Sequence, residues 1–318
     1  MLKLIKKLLS KRLIFLTLIF LMLLGVVITV YTPQFAFFKW GAGLAIQAMV
    51  AYVLIGLVFM SLREEWLMVT SLFCAAILAL FLKFNTSSQA NQIPEAYGPK
   101  LGVGIFELAE GVTIDRVISQ LNLLKPEIVG LQKITSSDKI EIAKKLSFQY
   151  PFYASLNDSA ASMIFLSKVP FLSIDTIIWN KNKALVCCIK SSKINDKLLL
   201  YNVLSPSLGK SQDYQEQKVF YNRLAHRARQ TKENVLFMGN LNEVPWSAEI
   251  LELRRLMGLT DCRRDFYPAL PNLLERPKDH MFNSQHLNCT EFHEIRDVTG
   301  LHLGLYANFQ KVNTSQRN

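Results

Sequence analysis

The sequence predicts an α/β domain built as a two-sheet sandwich flanked by helices and preceded by three transmembrane helices. Three observations lead there. Long uncharged apolar runs crowd into the region before residue 84. A helix-period segment lies between two short apolar runs just after residue 100. Beyond it, strand-like runs outnumber helical ones and several are adjacent, which favours a mixed two-sheet arrangement over a purely parallel doubly wound sheet.

The membrane anchor comes first, over residues 1–84. Leu13 to Tyr31 carries no charge and is long enough to cross a hydrocarbon core of about 30 Å. Lys3, Lys6, Lys7, Lys11 and Arg12 precede it, and no small-x-small cleavage site follows, which argues against a removable signal peptide. A second apolar run covers about Trp40 to Leu62, Arg63-Glu64-Glu65 makes a polar turn, and a third covers about Trp66 to Leu82. Trp40, Trp66 and Phe84 fall where aromatic belts belong, and the third span is the shortest and weakest. The five N-terminal cations place that end in the cytoplasm, so three crossings put the rest on the outer side of the plasma (inner) membrane; two would reverse this.

The net charge of +11 divides unevenly. Eight Lys and Arg stand against two Glu before residue 84. Later cations come mostly as short pairs such as Lys144-Lys145 and Arg254-Arg255, with no basic-aromatic stripe, so the lipid bilayer is the expected partner and nucleic acid is not. The five cysteines lack any C-x-x-C spacing, which excludes the usual zinc patterns. Cys262 and Cys289 are open to two readings, a disulfide in an oxidising compartment or buried free thiols, the second being favoured.

Residues 85–98 read as a polar linker, and the domain fills 99–318. Leu101 to Leu108 is strand-like. Thr113 is placed to cap a helix whose apolar positions Ile114, Val117, Ile118, Leu121 and Leu124 recur at three and four residues. Pro126 ends it, and Ile128 to Gln132 is a second strand. Further strands are expected at 163–166, 176–179, 185–189, 198–203, 235–238 and 304–309, and helices at about 140–146, 212–230 and 247–256.

Several segments then resemble, in order, the endonuclease/exonuclease/phosphatase superfamily of metal-dependent phosphoesterases. Pro126-Glu127-Ile128-Val129-Gly130-Leu131-Gln132-Lys133 is similar to its "LQE" strand. Tyr150-Pro151-Phe152 and Leu166-Ser167-Lys168-Val169-Pro170 match two further landmarks. Gly239-Asn240-Leu241-Asn242-Glu243-Val244-Pro245-Trp246-Ser247 resembles its "GDxN" block, the most specific match. Asp279-His280-Met281-Phe282 and Gly300-Leu301-His302 occupy the places of the last two motifs. The resemblance implies two packed sheets with helices outside, and hydrolysis of a phosphoester by water activated on Mg²⁺ or Mn²⁺ held by carboxylates.

Position by position, that implied chemistry is incomplete. The Glu of "LQE", the principal metal ligand, is Lys133; the Asp of "GDxN" is Asn240; the Asp before the last histidine is Leu301. Phe106 or Glu107 stands where the first strand would supply Asn, and Leu204 or Ser205 where a histidine is expected. Three anionic positions are lost and a cation is gained. His302, Asp279 and Asn242 remain as vestiges of the catalytic set, the first two as an expected imidazole–carboxylate pair. Lys133, Asn240 and Glu107 are the candidate ligand-binding residues.

The expectation is a catalytically degenerate domain with no metal ligands and no cofactor, which binds a phosphorylated or otherwise anionic small molecule, or a protein partner. The alternative is an active Mg²⁺-dependent phosphodiesterase or phosphatase using His302 with Asp279 and Glu107. Among other polar residues, His226 reads as a solvated helix position and His280, His286 and His293 as surface or locally bonded groups. Asp297 reads as a loop carboxylate satisfied by water.

Overall fold

A computed structural model describes residues 2–31, 41–86, 98–108, 111–157, 162–206, 211–263 and 276–312. Trp40 and nearly all of the 85–98 linker lie outside the described residues.

Three helices open the chain: α1 (Leu2–Val30), α2 (Ala45–Ser61) and α3 (Glu65–Thr86). Among the described residues two stretches, Arg12–Val30 and Glu65–Asn85, are long and apolar enough to cross a membrane, while the middle helix is shorter. This corrects the expected lengths. In the second run a turn at Leu44 separates helical residues 41–43 from α2, which has 17 residues. The third run, the weakest in sequence, is the longer one at 22 residues. Lys83 does not end it, and Asn85 Nδ2 donates to the Phe81 carbonyl at 2.8 Å, continuing the last turn.

Between α2 and α3 the chain reverses at Leu62–Glu64, with Arg63 at φ 56°. Met22, Val26, Leu67, Cys74 and Leu78 form the seam of the three helices. Polar side chains inside it bond across helices: Tyr52 Oη donates to the Met22 carbonyl at 2.7 Å, and Ser71 Oγ to the Tyr52 carbonyl at 2.6 Å.

The remainder is two six-stranded sheets. The elements are β1 (Leu101–Glu107), α4 (Ile114–Leu124), β2 (Ile128–Ile134), α5 (Ser136–Leu146), β3 (Phe152–Leu156), β4 (Ser162–Ser167), β5 (Phe171–Trp179), β6 (Asn182–Ser191) and β7 (Asp196–Leu204). Then follow α6 (Ser211–Arg229), β8 (Asn234–Asn240), α7 (Ala248–Met257), β9 (Leu259–Asp261), β10 (Asp279–Ser284), β11 (Leu287–Arg296) and β12 (His302–Lys311). The first sheet runs β11-β12-β1-β2-β4-β3 and the second β5-β6-β7-β8-β10-β9.

Each sheet contains one parallel pair, β1 with β2 and β7 with β8, linked through α4 and α6. The inner faces meet in one apolar core that includes Val103, Ile105, Phe165, Leu200, Met238 and Phe309. Val117 and Leu121 of α4 and Leu146 of α5 cover the outer face of the first sheet. Phe220 and Leu224 of α6 and Leu253 of α7 cover the second. Central strands are therefore buried on both faces, which is why they appear in sequence as unbroken apolar runs.

All strands expected from sequence are present; the first stops one residue early, at Glu107, and the others extend beyond the expected bounds at one or both ends. Thr113 sits at the N-cap of α4 but makes no side-chain capping bond there. The two candidate disulfide cysteines, Cys262 and Cys289, are buried free thiols, as are the other three.

Candidate functional site

Both parallel pairs finish at the same end of the sandwich. Glu107 lies opposite Gln132 across β1 and β2, Leu204 opposite Asn240 across β7 and β8, and Asp279 opposite Asn240 across β10 and β8. His302 begins β12, the neighbour of β1. Glu107, Lys133, Asn240, Asp279 and His302, all singled out in the sequence, thus converge from five strands, and Asn242 follows in the loop after β8.

The local geometry at Lys133 explains its side chain. The β2–β4 register breaks between Gln132 and Ile134, and Lys133 adopts φ 57°, sparsely populated for a residue with a side chain. The break keeps Gln132 fully buried while Lys133 turns outward. Its ammonium forms an ion pair with Glu107 Oε1, the Lys side chain 41% exposed and the Glu 11%. Glu107 Oε2 accepts from Asn240 Nδ2 at 2.5 Å.

The chain of bonds continues. Asn240 Oδ1 accepts the Asn242 backbone N–H at 2.9 Å, and Asn242 Nδ2 donates to the Ser205 carbonyl at 2.6 Å. Asn242 itself stands at φ 54°. Gly239, one residue before Asn240, must be glycine: a Cβ there would lie 1.9 Å from the Val203 carbonyl oxygen, with φ 152°. Glu107, Lys133, Asn240 and Asn242 therefore form one connected polar cluster.

Beside it, His302 Nε2 and Asp279 Oδ2 are 2.7 Å apart, the expected imidazole–carboxylate pair. An ionised Asp279 accepts, so His302 Nε2 carries the hydrogen of this bond. Burial pushes the Asp279 carboxyl up, but the hydrogen bond and charge of His302, with His280 and Arg263 nearby, hold it below the ordinary carboxylate value. Arg263 also donates to the Asp279 backbone carbonyl at 3.1 Å.

Two residues important to this architecture were not recognised from sequence. Gln132 Nε2 donates to Asn202 Oδ1 at 2.6 Å and to the Val203 carbonyl at 2.8 Å, crossing from one sheet to the other. Gln132 Oε1 accepts the Asn240 N–H at 3.1 Å. The available signal was a lone amide inside each of two apolar strands, since buried polar groups need partners.

Other histidines separate into types. His226 is exposed on α6, as expected. His280 is fully buried, with Nε2 donating to the Glu243 carbonyl at 2.8 Å. Asp297 is bonded by protein groups: Arg116 donates to it at 2.5 Å, and the backbone N–H groups of Thr299 and Leu301 also donate to it.

Paired sheets with helices outside and a polar cluster at converging strand ends define the endonuclease/exonuclease/phosphatase fold. Solved structures sharing it include zebrafish (D. rerio) TDP2 complexed with a single-strand DNA product. That protein is 18% identical with a TM-score of 0.54, the match covering 66% of this chain and 98% of that one. An endonuclease/exonuclease/phosphatase from Beutenbergia cavernae is 14% identical with a TM-score of 0.54, over 67% of this chain and 72% of the other. The human Nocturnin catalytic domain with a bound sulfate anion is 11% identical with a TM-score of 0.53, over 68% and 96%. At these identities the likeness is one of fold. No family model and no curated protein sequence matches this chain.

Proposed function

We propose that this chain is a membrane-anchored, catalytically degenerate member of the endonuclease/exonuclease/phosphatase family that binds a phosphorylated or otherwise anionic ligand without a metal. The observation that carries this reading is the Lys133–Glu107 ion pair. A tethered ammonium stands where the resemblance puts the principal metal-binding carboxylate.

The donor set does not suit Mg²⁺ or Mn²⁺, which require several oxygen ligands. Glu107 spends one oxygen on Lys133 and the other on Asn240. The amide oxygen of Asn240 accepts from Asn242, and Asp279 Oδ2 faces His302. A divalent ion entering here would meet the Lys133 charge at close range, an interaction strengthened by partial burial.

An anion meets the opposite conditions. Lys133 is 41% exposed, and an ammonium has three N–H donors, which an ion pair with one Glu107 oxygen does not use up. His302 and Asn242 are partly exposed beside it. Charge-assisted hydrogen bonds of this kind suit a phosphoryl group. Calorimetric titration of the full chain with inorganic phosphate in the presence of a chelator is expected to show saturable binding, lost in Lys133→Ala. Identical binding by that variant contradicts the assignment.

The intact His302–Asp279 pair favours a second reading, an active phosphodiesterase with an altered site. It requires Mg²⁺-dependent turnover that disappears in His302→Ala.

Membrane anchoring is supported by the outward faces of the helices. Leu13, Phe20, Leu54, Val58, Val69 and Phe73 are exposed there, an apolar surface that lipid satisfies and water does not. With three crossings and the basic N-terminus in the cytoplasm, the sandwich lies on the outer side of the plasma membrane.

A further inference from the structure

The segment that carries Asn242 also carries the contact between the sandwich and the helices. Trp246 is 2% exposed, and its Nε1–H donates to the Ala42 carbonyl at 2.7 Å. Val244 and Trp246 are buried together with Ala45 and Ile46 of α2, and Phe81 and Leu82 of α3 pack against them. Trp246 lies four positions after Asn242, a separation that an extended chain spans in at most about 14 Å. The polar cluster and the end of the helical hairpin therefore share one short loop.

That loop is fixed at both ends by different partners. At the site end, Leu241 N–H donates to the Lys278 carbonyl at 3.0 Å and Asn242 N–H to Asn240 Oδ1 at 2.9 Å. At the far end, Ser247 Oγ caps α7 by accepting the Ile250 N–H at 3.4 Å. Between them the Glu243 carbonyl accepts from His280 at 2.8 Å, and the hairpin packs on Val244 and Trp246. Asn242 stands in the left-handed region at φ 54°, a conformation that asparagine tolerates as a single residue.

We infer that the α2–α3 hairpin is a positioning element for the site: by clamping Trp246 it holds the 241–247 loop, and with it Asn242, in the anion-binding arrangement. The inference rests on the proposed anion-binding role, but the clamping can be tested without any ligand. It makes the anchor more than a tether, because packing inside the membrane-proximal hairpin sets the order of residues that face a ligand.

The test is amide hydrogen exchange on the full chain in lipid nanodiscs, comparing wild type with Ile46→Ala and Trp246→Phe. The first removes packing from the helix side only. The second keeps a ring but deletes the N–H to Ala42. Both are expected to speed exchange at Leu241 and Asn242 by about fivefold or more, the usual scale of coupling between sites. Tyr52→Phe, which deletes a bond to the Met22 carbonyl inside the helical seam, is expected to leave those amides unchanged.

Unchanged exchange at Leu241 and Asn242 in both test variants overturns the inference, as does an equal rise in Tyr52→Phe. Inorganic phosphate affinity, measured without metal, is expected to fall in the same two variants. If phosphate fails to bind the wild type, the functional reading falls while the exchange result alone decides the clamping.

Discussion

Replacing Gln132 with Leu is expected to lower the unfolding free energy of the sandwich by about 4 kcal/mol, the largest effect of any substitution near the site. Gln132 is completely buried and bonds Asn202 and Val203 in the facing sheet, while accepting the Asn240 N–H. Leucine fits the volume but strands Asn202 Oδ1 and the Asn240 N–H, at about 1–3 kcal/mol for each buried group left unpaired. Denaturant unfolding of the full chain, followed by near-ultraviolet circular dichroism, reads the loss. The double variant Gln132→Leu with Asn202→Leu should recover part of it, because removing both partners leaves fewer orphaned groups. Strict additivity of the two single losses would refute the bonding scheme.

The second large effect is on pH dependence. Burial and the neighbouring Arg263 charge lower the His280 pKa from its ordinary 6.5 to about 4. The unfolded chain therefore binds a proton at this residue between those values and the folded chain does not. Stability contributed by keeping His280 neutral is complete above pH 6.5 and is lost as pH falls toward 4. A shift of that size corresponds to about 3 kcal/mol. Asp279 acts in the same sense further down: its carboxyl is held below 3.8, so its contribution is lost only as pH falls past that value. His280→Asn should flatten the slope between pH 4 and 6.5 and leave the steeper fall at lower pH. Stability measured at half-unit intervals of pH distinguishes the two windows. No change of slope in the variant would mean that another group titrates there.

What could be read from the sequence follows from burial. Strands such as β7 and β8 are covered on both sides, so Leu198 to Val203 and Val235 to Met238 stood out as apolar runs. β11 alternates buried and partly exposed residues at the margin of its sheet, and its Thr290, Glu291, His293 and Glu294 gave no such run. The short β3, β9 and β10 were hidden for similar reasons of length and polarity.

At the site, motif spacing placed Glu107, Lys133, Asn240, Asn242, Asp279 and His302 in one region, and the structure brings them together as two bonded groups. The spacing could not show that Lys133 and Glu107 neutralise each other, since this depends on the irregular register after Gln132. Nor could it show the Gln132–Asn202 bridge or the Trp246–Ala42 bond. These join residues 70 and 204 positions apart across surfaces whose packing is set only by the complete fold.

The most direct test of the central claim is calorimetric titration of Mg²⁺ and Mn²⁺ into the wild-type chain. A site whose anionic partner is already paired with an internal ammonium should give no saturable heat at millimolar metal. Saturable binding in that range, accompanied by phosphodiester turnover that His302→Ala abolishes, would contradict the account.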